Sequence, residues 1–131
     1  MTDIVLWRHA DAEPGVPDLH RPLTTKGQKQ AKRVARWLHE RLPPDAVIYA
    51  SPAKRAQQTA LALAHLGSRE FVTVDEFAPS TRVDAALGAL RATDPTRAVV
   101  VVGHQPTLGE LASRLLGAGV DDWPIRKGAV V

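Results

Sequence analysis

Four short apolar runs, separated by segments with helical spacing, constrain the fold of this chain more than any other feature. The runs cover residues 4–6, 46–50, 71–74 and 98–102. Strands that alternate with helices predict an α/β domain with a mostly parallel sheet covered on both faces, which is a three-layer α/β/α sandwich. Residues 98–102 are all apolar and mainly β-branched, which is typical of a central strand buried on both faces.

Capping and helix-breaking residues set the predicted helix boundaries. The predicted starts are Thr24 or Thr25, Pro52, Ser80 and Thr107. Serine and threonine side chains cap helix N-termini, and proline is favoured in the first turn. Pro43 and Pro44 end the first helix and Gly67 ends the second, as proline and glycine commonly do. The fourth helix is predicted to run to Leu116.

The length of 131 residues predicts a single domain over residues 1–131. The sequence stops at Val131, inside a segment that starts at Gly128 and has the pattern of a strand. A complete domain more often continues past such a point. We therefore expect the C-terminus of the domain to be shortened.

Composition excludes several classes of protein. The chain has no cysteine, which excludes a disulfide framework, a cysteine nucleophile and a thiolate metal site. The N-terminus lacks a basic segment followed by an apolar one, so it does not have the pattern of a signal peptide. No apolar run approaches the ~20 residues needed to cross a bilayer. We expect a cytoplasmic protein without a membrane partner.

The formal net charge of +3 is mildly basic, and many of the cations crowd into the first predicted helix. They are Lys26, Lys29, Lys32, Arg33, Arg36 and Arg41. We interpret this cluster as a solvated helix face, with docking of an acidic protein surface or nucleic acid as the alternative. Aromatic residues amount to only 5%, which argues against stacking on single-stranded nucleic acid. We expect no nucleic-acid partner.

Two arginines and two histidines follow three of the predicted strands. Arg8 and His9 follow the first run, Arg55 follows the second and His104 follows the fourth. Open α/β sheets bind ligands at the carboxyl ends of their strands. There a guanidinium can hold a phosphate and a neutral imidazole can attack it, provided that its other ring nitrogen donates to a carbonyl or carboxylate. Taken singly, each residue also fits an ordinary structural role.

Three segments around these residues resemble the signature blocks of the histidine phosphatase superfamily, also called the phosphoglycerate mutase-like fold. They are Leu6-Trp7-Arg8-His9-Ala10, Ser51-Pro52-Ala53-Lys54-Arg55-Ala56-Gln57-Gln58-Thr59 and Val102-Gly103-His104-Gln105-Pro106. The small size of the chain and the block Arg21-Pro22-Leu23-Thr24-Thr25-Lys26-Gly27 resemble SixA-like phosphohistidine phosphatases. The resemblance covers nearly the whole chain and implies metal-independent phosphatase activity without a cofactor.

The resemblance also implies a role for each matching residue. His9 would be the catalytic nucleophile that becomes phosphorylated. Arg8, Arg55 and His104 would clamp the phosphoryl oxygens during catalysis. Arg21 matches a basic position that lies near the phosphate in similar proteins, and we expect it to contribute to phosphate binding.

The remaining matches concern the surroundings of the nucleophile and its proton donor. Ser51 and Thr59 match positions that orient the pocket, and Ala10 stands where the family commonly has glycine. The candidates for the general acid are Glu76, Asp11 and Glu13. We favour Glu76, which matches a position where many relatives carry an acidic residue.

The expected substrate is phosphohistidine on a protein, and we expect a monomeric enzyme. Between Arg55 and His104 there is no room for a lid beyond residues 76–80, and an open site suits a phosphorylated side chain. An imidazole leaving group also needs less proton donation than an alkoxide.

Three other functions remain open. Two of them keep the same pocket, either as a phosphatase of small phosphate esters or as a phosphate-binding module without turnover. The third is a metallohydrolase. Its candidate metal ligands are His9, Asp11, Glu13 and His20. Against it, these residues lie along a loop without the fixed spacing of a helical metal site.

Overall fold

The structure is a computed structural model that describes residues 4–116, and it contains a four-stranded parallel sheet with helices on both faces. The strands are β1 (Ile4–Arg8), β2 (Val47–Ala50), β3 (Phe71–Thr73) and β4 (Val99–Gly103). The helices are α1 (Thr25–Arg41), α2 (Lys54–Gly67), α3 (Val83–Arg91) and α4 (Thr107–Leu116). This confirms the predicted fold class. The strand predicted from Gly128 lies outside the described residues.

The sheet has the strand order β1-β4-β2-β3, so β4 is an interior strand. All five residues of β4 are buried, as its uniformly apolar sequence predicted. Val99 and Val101 face a core formed with α3 and α4, whereas Val100 and Val102 face a second core formed with α1 and α2. The two cores on opposite faces of one sheet make the predicted three layers.

The register of the sheet brings three strand ends to one edge. Arg8 pairs with Gly103, and Ala50 pairs with Val102. The backbone N–H of His9 donates to the Gly103 carbonyl (3.0 Å), and that of Ser51 donates to the Val102 carbonyl (3.0 Å). The residues that follow β1, β2 and β4 therefore start from neighbouring points, and this edge carries the candidate site.

Helix α1 begins at its predicted cap, whereas α2 and α3 begin later in the chain than the sequence predicted. Thr24 caps α1 by accepting a hydrogen bond from the Gly27 N–H (2.9 Å). The cap of α2 is Ala53, so Pro52 lies before the helix and not in its first turn. The Ser51 hydroxyl accepts from the Ala53 N–H (3.2 Å), and this contact bends the chain before the helix begins.

Ser80 does not cap α3, contrary to prediction. It has φ = 65°, a left-handed turn conformation outside the extended region that a capping residue adopts. Arg82 stands at the cap position, without a side-chain cap hydrogen bond. A turn of irregular backbone thus separates Ser80 from the helix, and a capping residue type alone could not locate the helix start.

The basic residues of α1 lie on its exposed face, as expected for a solvated helix surface. All of Lys26, Lys29, Lys32, Arg33, Arg36 and Arg41 are exposed, while Ala31, Ala35 and Leu38 are buried. None of the helices in the described range has the length and hydrophobicity that a membrane span requires.

Candidate active site

His9 and His104 meet at the carboxyl edge of the sheet. Their ring centroids are 5.1 Å apart with an interplanar angle of 50°. Both side chains belong to residues that are only 5% exposed. The pairing of β1 with β4 therefore brings together the two imidazoles that sequence analysis placed after the first and fourth predicted strands.

The tautomer of His9 is fixed by the backbone. Its Nδ1 lies 2.8 Å from the Ala10 carbonyl oxygen. A carbonyl can only accept a hydrogen bond, so Nδ1 donates and the lone pair of the neutral ring lies on Nε2. This is the arrangement that sequence analysis required of an attacking imidazole.

The loop that holds His9 is tied to α2 through Thr59. The Ala10 N–H donates to Thr59 Oγ1 (3.1 Å), and this hydroxyl donates to the Arg55 carbonyl (2.8 Å). Ala10 itself is fully buried and packs with Leu23 and Ala31. The methyl group of Ala10, at a position where the family commonly has glycine, thus packs among apolar side chains.

His104 is held by Ser51. Its Nε2 lies 2.7 Å from Ser51 Oγ, whereas its buried Nδ1 has no hydrogen-bond partner within residues 4–116. Burial, together with the charges of His9, Arg55 and Arg8, lowers the pKa of His104 to about 3. The ring is therefore neutral near pH 7. If the Ser51 hydroxyl donates to Nε2, the proton sits on Nδ1 and is available to an incoming oxygen.

The neutral state of His104 predicts a pH dependence of stability. Its pKa is about 3 in the folded chain against an ordinary 6.5, so the unfolded chain binds more protons between these values. The free energy of unfolding then falls as the pH falls through this window, by up to ~1.4 kcal/mol per pH unit. Urea denaturation of a His104→Gln variant should show a decline between pH 7 and pH 5 that is smaller by about 2 kcal/mol.

The matched control for this measurement is His65→Gln, because His65 is exposed on α2. That variant should keep the wild-type dependence on pH. Equal slopes for wild type and His104→Gln would contradict the assignment of His104 as a buried neutral group.

Arg8 and Arg55 add positive charge beside the histidines. Arg8 ends β1 and is partly buried, and this burial lowers its pKa from the ordinary value of an arginine. Arg55 lies in the first turn of α2 and is 4% exposed. Its Nε is buried without a hydrogen-bond partner in the described part of the chain. The geometry thus assembles the predicted set of two guanidinium groups and two imidazoles.

Sequence reasoning missed Asp18, which contacts two of the arginines predicted to bind the phosphate. Its carboxylate accepts from Arg55 Nη2 (3.1 Å) and from Arg21 Nε (3.0 Å). Its carbonyl accepts from Arg55 Nη1 (2.9 Å). Arg21 also donates from Nη1 to the Glu13 carbonyl (3.0 Å). The available signal was an acidic residue three positions before Arg21 in a loop next to a basic site.

The three acid candidates differ in their surroundings. The Asp11 carboxylate accepts from Thr24 Oγ1 (2.8 Å), and the Asp11 N–H donates to Gln30 (3.0 Å). Glu13 and Glu76 are both exposed. Glu76 lies in a short 3-10 turn, Asp75–Phe77, whose Phe77 carbonyl comes within 3.8 Å of the position of a Cβ at Gly103. This turn therefore borders the end of β4, next to His104.

The metal-ligand set considered from the sequence is not assembled in the part of the chain that the structure describes. No three histidine, aspartate or glutamate side chains there are arranged to hold a metal ion. Asp11, one of that set, has its carboxylate engaged at the start of α1.

A groove of about 400 Å³ opens between the first turns of α3 and α4. Arg82 and Asp84 border it on one side, and Thr107 and Glu110 on the other. Thr107 follows His104 by three residues in the sequence, but neither His9 nor His104 lines the groove.

The sequence matches a family model described as the histidine phosphatase superfamily, branch 1, over residues 4–79. An uncharacterised protein of Picosynechococcus sp. is 38% identical over 120 residues, which are 86% of this chain and 72% of that protein. An uncharacterised protein of Mycobacterium tuberculosis is 36% identical over 111 residues, which are 80% of this chain and 66% of that protein. The chain thus spans 66% to 72% of the lengths of these two relatives.

Solved structures with the same fold include two SixA proteins. One, from Agrobacterium tumefaciens and provisionally assigned as the phosphohistidine phosphatase SixA, is 30% identical with a TM-score of 0.79. It covers 89% of this chain, which covers 78% of it. The other, the protein histidine phosphatase SixA complexed with tungstate, is 26% identical with a TM-score of 0.85. It covers 97% of this chain, which covers 84% of it, and the match confirms the phosphoglycerate mutase-like fold.

Proposed function

The chain belongs to the histidine phosphatase superfamily and is a phosphatase, and from this premise we propose that it hydrolyses phosphohistidine of a protein substrate in a reaction that needs no metal ion. The observation that carries the proposal is the orientation of His9. Its Nδ1 is committed to the Ala10 carbonyl while the ring faces His104 at 5.1 Å, among the arginines.

The first step of the proposed reaction transfers the phosphoryl group to the enzyme. The lone pair on His9 Nε2 attacks phosphorus, and the bond from phosphorus to the substrate imidazole nitrogen breaks. The leaving nitrogen takes a proton from the general acid. We assign this role to Glu76, because its turn borders His104 while the Asp11 carboxylate is held by Thr24.

Arg8, Arg55 and His104 stabilise the transferring group. A phosphoryl transition state spreads negative charge over three equatorial oxygens, so catalysis depends on positioned donors and positive charge. The buried Nε–H of Arg55 and the Nδ1 of His104 have no partners within the described range and suit such oxygens. Two guanidinium groups supply the charge that this step requires.

The second step returns the enzyme to its starting state. A water molecule attacks the phosphorus of phosphorylated His9, the bond from phosphorus to Nε2 breaks, and inorganic phosphate leaves. The Glu76 carboxylate takes the proton that water releases. This proton replaces the one donated in the first step, so the cycle balances.

The choice of substrate class rests on the short loops around the site and on the leaving group. Residues 74–82 connect β3 to α3 and hold only a single 3-10 turn. The groove between α3 and α4, which Pro106 and Thr107 border, has room for the chain that flanks a phosphorylated residue. An imidazole leaving group also tolerates an exposed acid such as Glu76.

The proposal is tested by assaying a carrier protein phosphorylated on histidine and p-nitrophenyl phosphate side by side, with and without a metal chelator. We expect kcat/KM for the phosphoprotein to exceed that for the ester by at least about a hundredfold, because remote contacts add transition-state binding. Chelation should leave both rates unchanged. Turnover of the ester alone would contradict the protein substrate, and loss of activity on chelation with its return on adding metal would contradict metal independence.

A further inference from the structure

Asp18 lies between two arginines that we assign to phosphate binding, and the proposed function gives it no role. We propose that Asp18 is a positioning residue that holds Arg55 and Arg21 in the geometry needed to bind the phosphoryl group. This inference rests on the proposed function. Its structural basis is the pair of ion contacts made by one carboxylate, to Arg55 at 3.1 Å and to Arg21 at 3.0 Å.

The contact leaves the buried part of Arg55 available. Asp18 engages only the two terminal nitrogens of the guanidinium, Nη2 through its carboxylate and Nη1 through its carbonyl. A guanidinium carries five N–H donors, so the Nε–H and others remain. Nε is buried and has no partner among residues 4–116. Asp18 thus occupies one end of Arg55 without saturating it.

Burial indicates the side from which Asp18 approaches. The Arg55 side chain is 4% exposed, whereas that of Asp18 is 55% exposed. The carboxylate therefore reaches Arg55 from the solvent side, while the rest of the guanidinium lies in the protein beside His104. An anchor at the outer end of a long side chain fixes the direction of its inner donors, which is what a phosphate clamp requires.

Charge explains why an anion belongs at this place. Arg21 and Arg55, which both contact Asp18, would repel one another without an anion between them. A carboxylate shared by Arg21 and Arg55 offsets this repulsion and forms charge-assisted hydrogen bonds to both. Partial burial alone would raise the pKa of Asp18, but the hydrogen bonds and charges of Arg55 and Arg21 hold it below the ordinary value. Asp18 is therefore an anion near pH 7.

A competing role for Asp18 predicts the opposite result. If its carboxylate merely occupied the place of the phosphate, removing its charge would free Arg55 and tighten anion binding. If it positions the arginines, the same change loosens anion binding, although the pocket becomes more positive. The sign of the change in phosphate affinity distinguishes the two roles.

The experiment compares wild type with Asp18→Asn and Asp18→Glu in the full chain. Calorimetry gives the Kd for inorganic phosphate, and p-nitrophenyl phosphate gives kcat and KM. We expect Asp18→Asn to raise the Kd and KM about tenfold with a smaller loss in kcat, since charge-assisted hydrogen bonds are about twice as strong as neutral ones. Asp18→Glu keeps the charge and should recover part of the affinity. Unchanged or tighter phosphate binding in Asp18→Asn overturns the proposal.

Glu70→Gln is the matched control. Glu70 is 54% exposed and pairs with Arg97 at 3.2 Å, just before β3 begins and therefore away from the carboxyl edge of the sheet. Losing this carboxylate should leave Kd, KM and kcat unchanged, and an equal effect in both variants would overturn a specific role for Asp18. Because phosphate binding is measured without turnover, an inactive wild type that binds phosphate refutes the proposed function and still allows the Asp18 comparison.

Discussion

Replacing His9 with alanine is expected to lower kcat by at least about a thousandfold, because the losses measured for catalytic nucleophiles reach several orders of magnitude. The variant loses the Nε2 lone pair that forms the covalent intermediate. Within residues 4–116, His104 is the other imidazole of the site, and its neutral ring is committed to Ser51 through Nε2, so we do not expect it to replace the nucleophile. The rate is measured with the phosphoprotein and the ester under saturating conditions.

The intermediate gives a second readout for the same prediction. Wild type quenched during turnover should carry acid-labile, base-stable phosphate, whereas His9→Ala should carry none. His65→Ala removes an exposed imidazole from α2 and should match wild type in both measurements. Near-normal rates in His9→Ala would refute the nucleophile assignment.

Folding has to be controlled separately, because the His9 ring is buried. The residue is 5% exposed and its Nδ1 donates to the Ala10 carbonyl. His9→Gln keeps more of the side-chain volume than His9→Ala does, and it keeps a hydrogen-bond donor. The midpoint temperature of its thermal unfolding should therefore lie near that of wild type. The two variants should share the loss of turnover even if His9→Ala melts at a lower temperature.

The sheet was predictable from sequence because burial dictates its residues. Strand β4 is flanked by β1 and β2 and covered on both faces, so every position requires an apolar side chain. Such a run is typical of a strand that is buried on both faces of a parallel sheet. The start of α3 at Val83 was not predictable, because the left-handed turn at Ser80 depends on how residues 74–82 cross the end of the sheet.

The histidines and arginines were predictable as a set for the same topological reason. Once Arg8, Arg55 and His104 are assigned to the ends of parallel strands or the first turn after one, the sheet itself brings them together. Asp18 lies in a loop without periodicity, so no pattern gives its position in space. The choice of Glu76 as general acid rests on the resemblance and stays a prediction, because exposed carboxylates such as Glu13 and Glu76 carry no burial signal.

The second large effect that we expect is on the free energy of unfolding, and it arises in the loop after His9. A Cβ added at Gly27 would lie 1.9 Å from the Asp11 carbonyl oxygen. That oxygen accepts from the Thr24 N–H (3.0 Å) and from Thr24 Oγ1 (3.3 Å), so it cannot move away without breaking the start of α1. Glycine at this position is therefore required by the close approach of two backbone segments, and not by an unusual φ.

Gly27→Ala should lower the free energy of unfolding by about 3 kcal/mol, the upper end of the cost of overpacking. The control is Gly88→Ala in α3, where an added Cβ meets nothing within 4 Å. Alanine is favoured over glycine inside a helix by up to about 1 kcal/mol, so this variant should be more stable than wild type. Urea denaturation of both variants measures the contrast.

Since Asp11 follows His9 by two residues, Gly27→Ala should also lower kcat/KM, whereas Gly88→Ala should not. Equal stabilities for Gly27→Ala and wild type would show that the chain can separate these segments, and the loop could then not be what holds His9 in place.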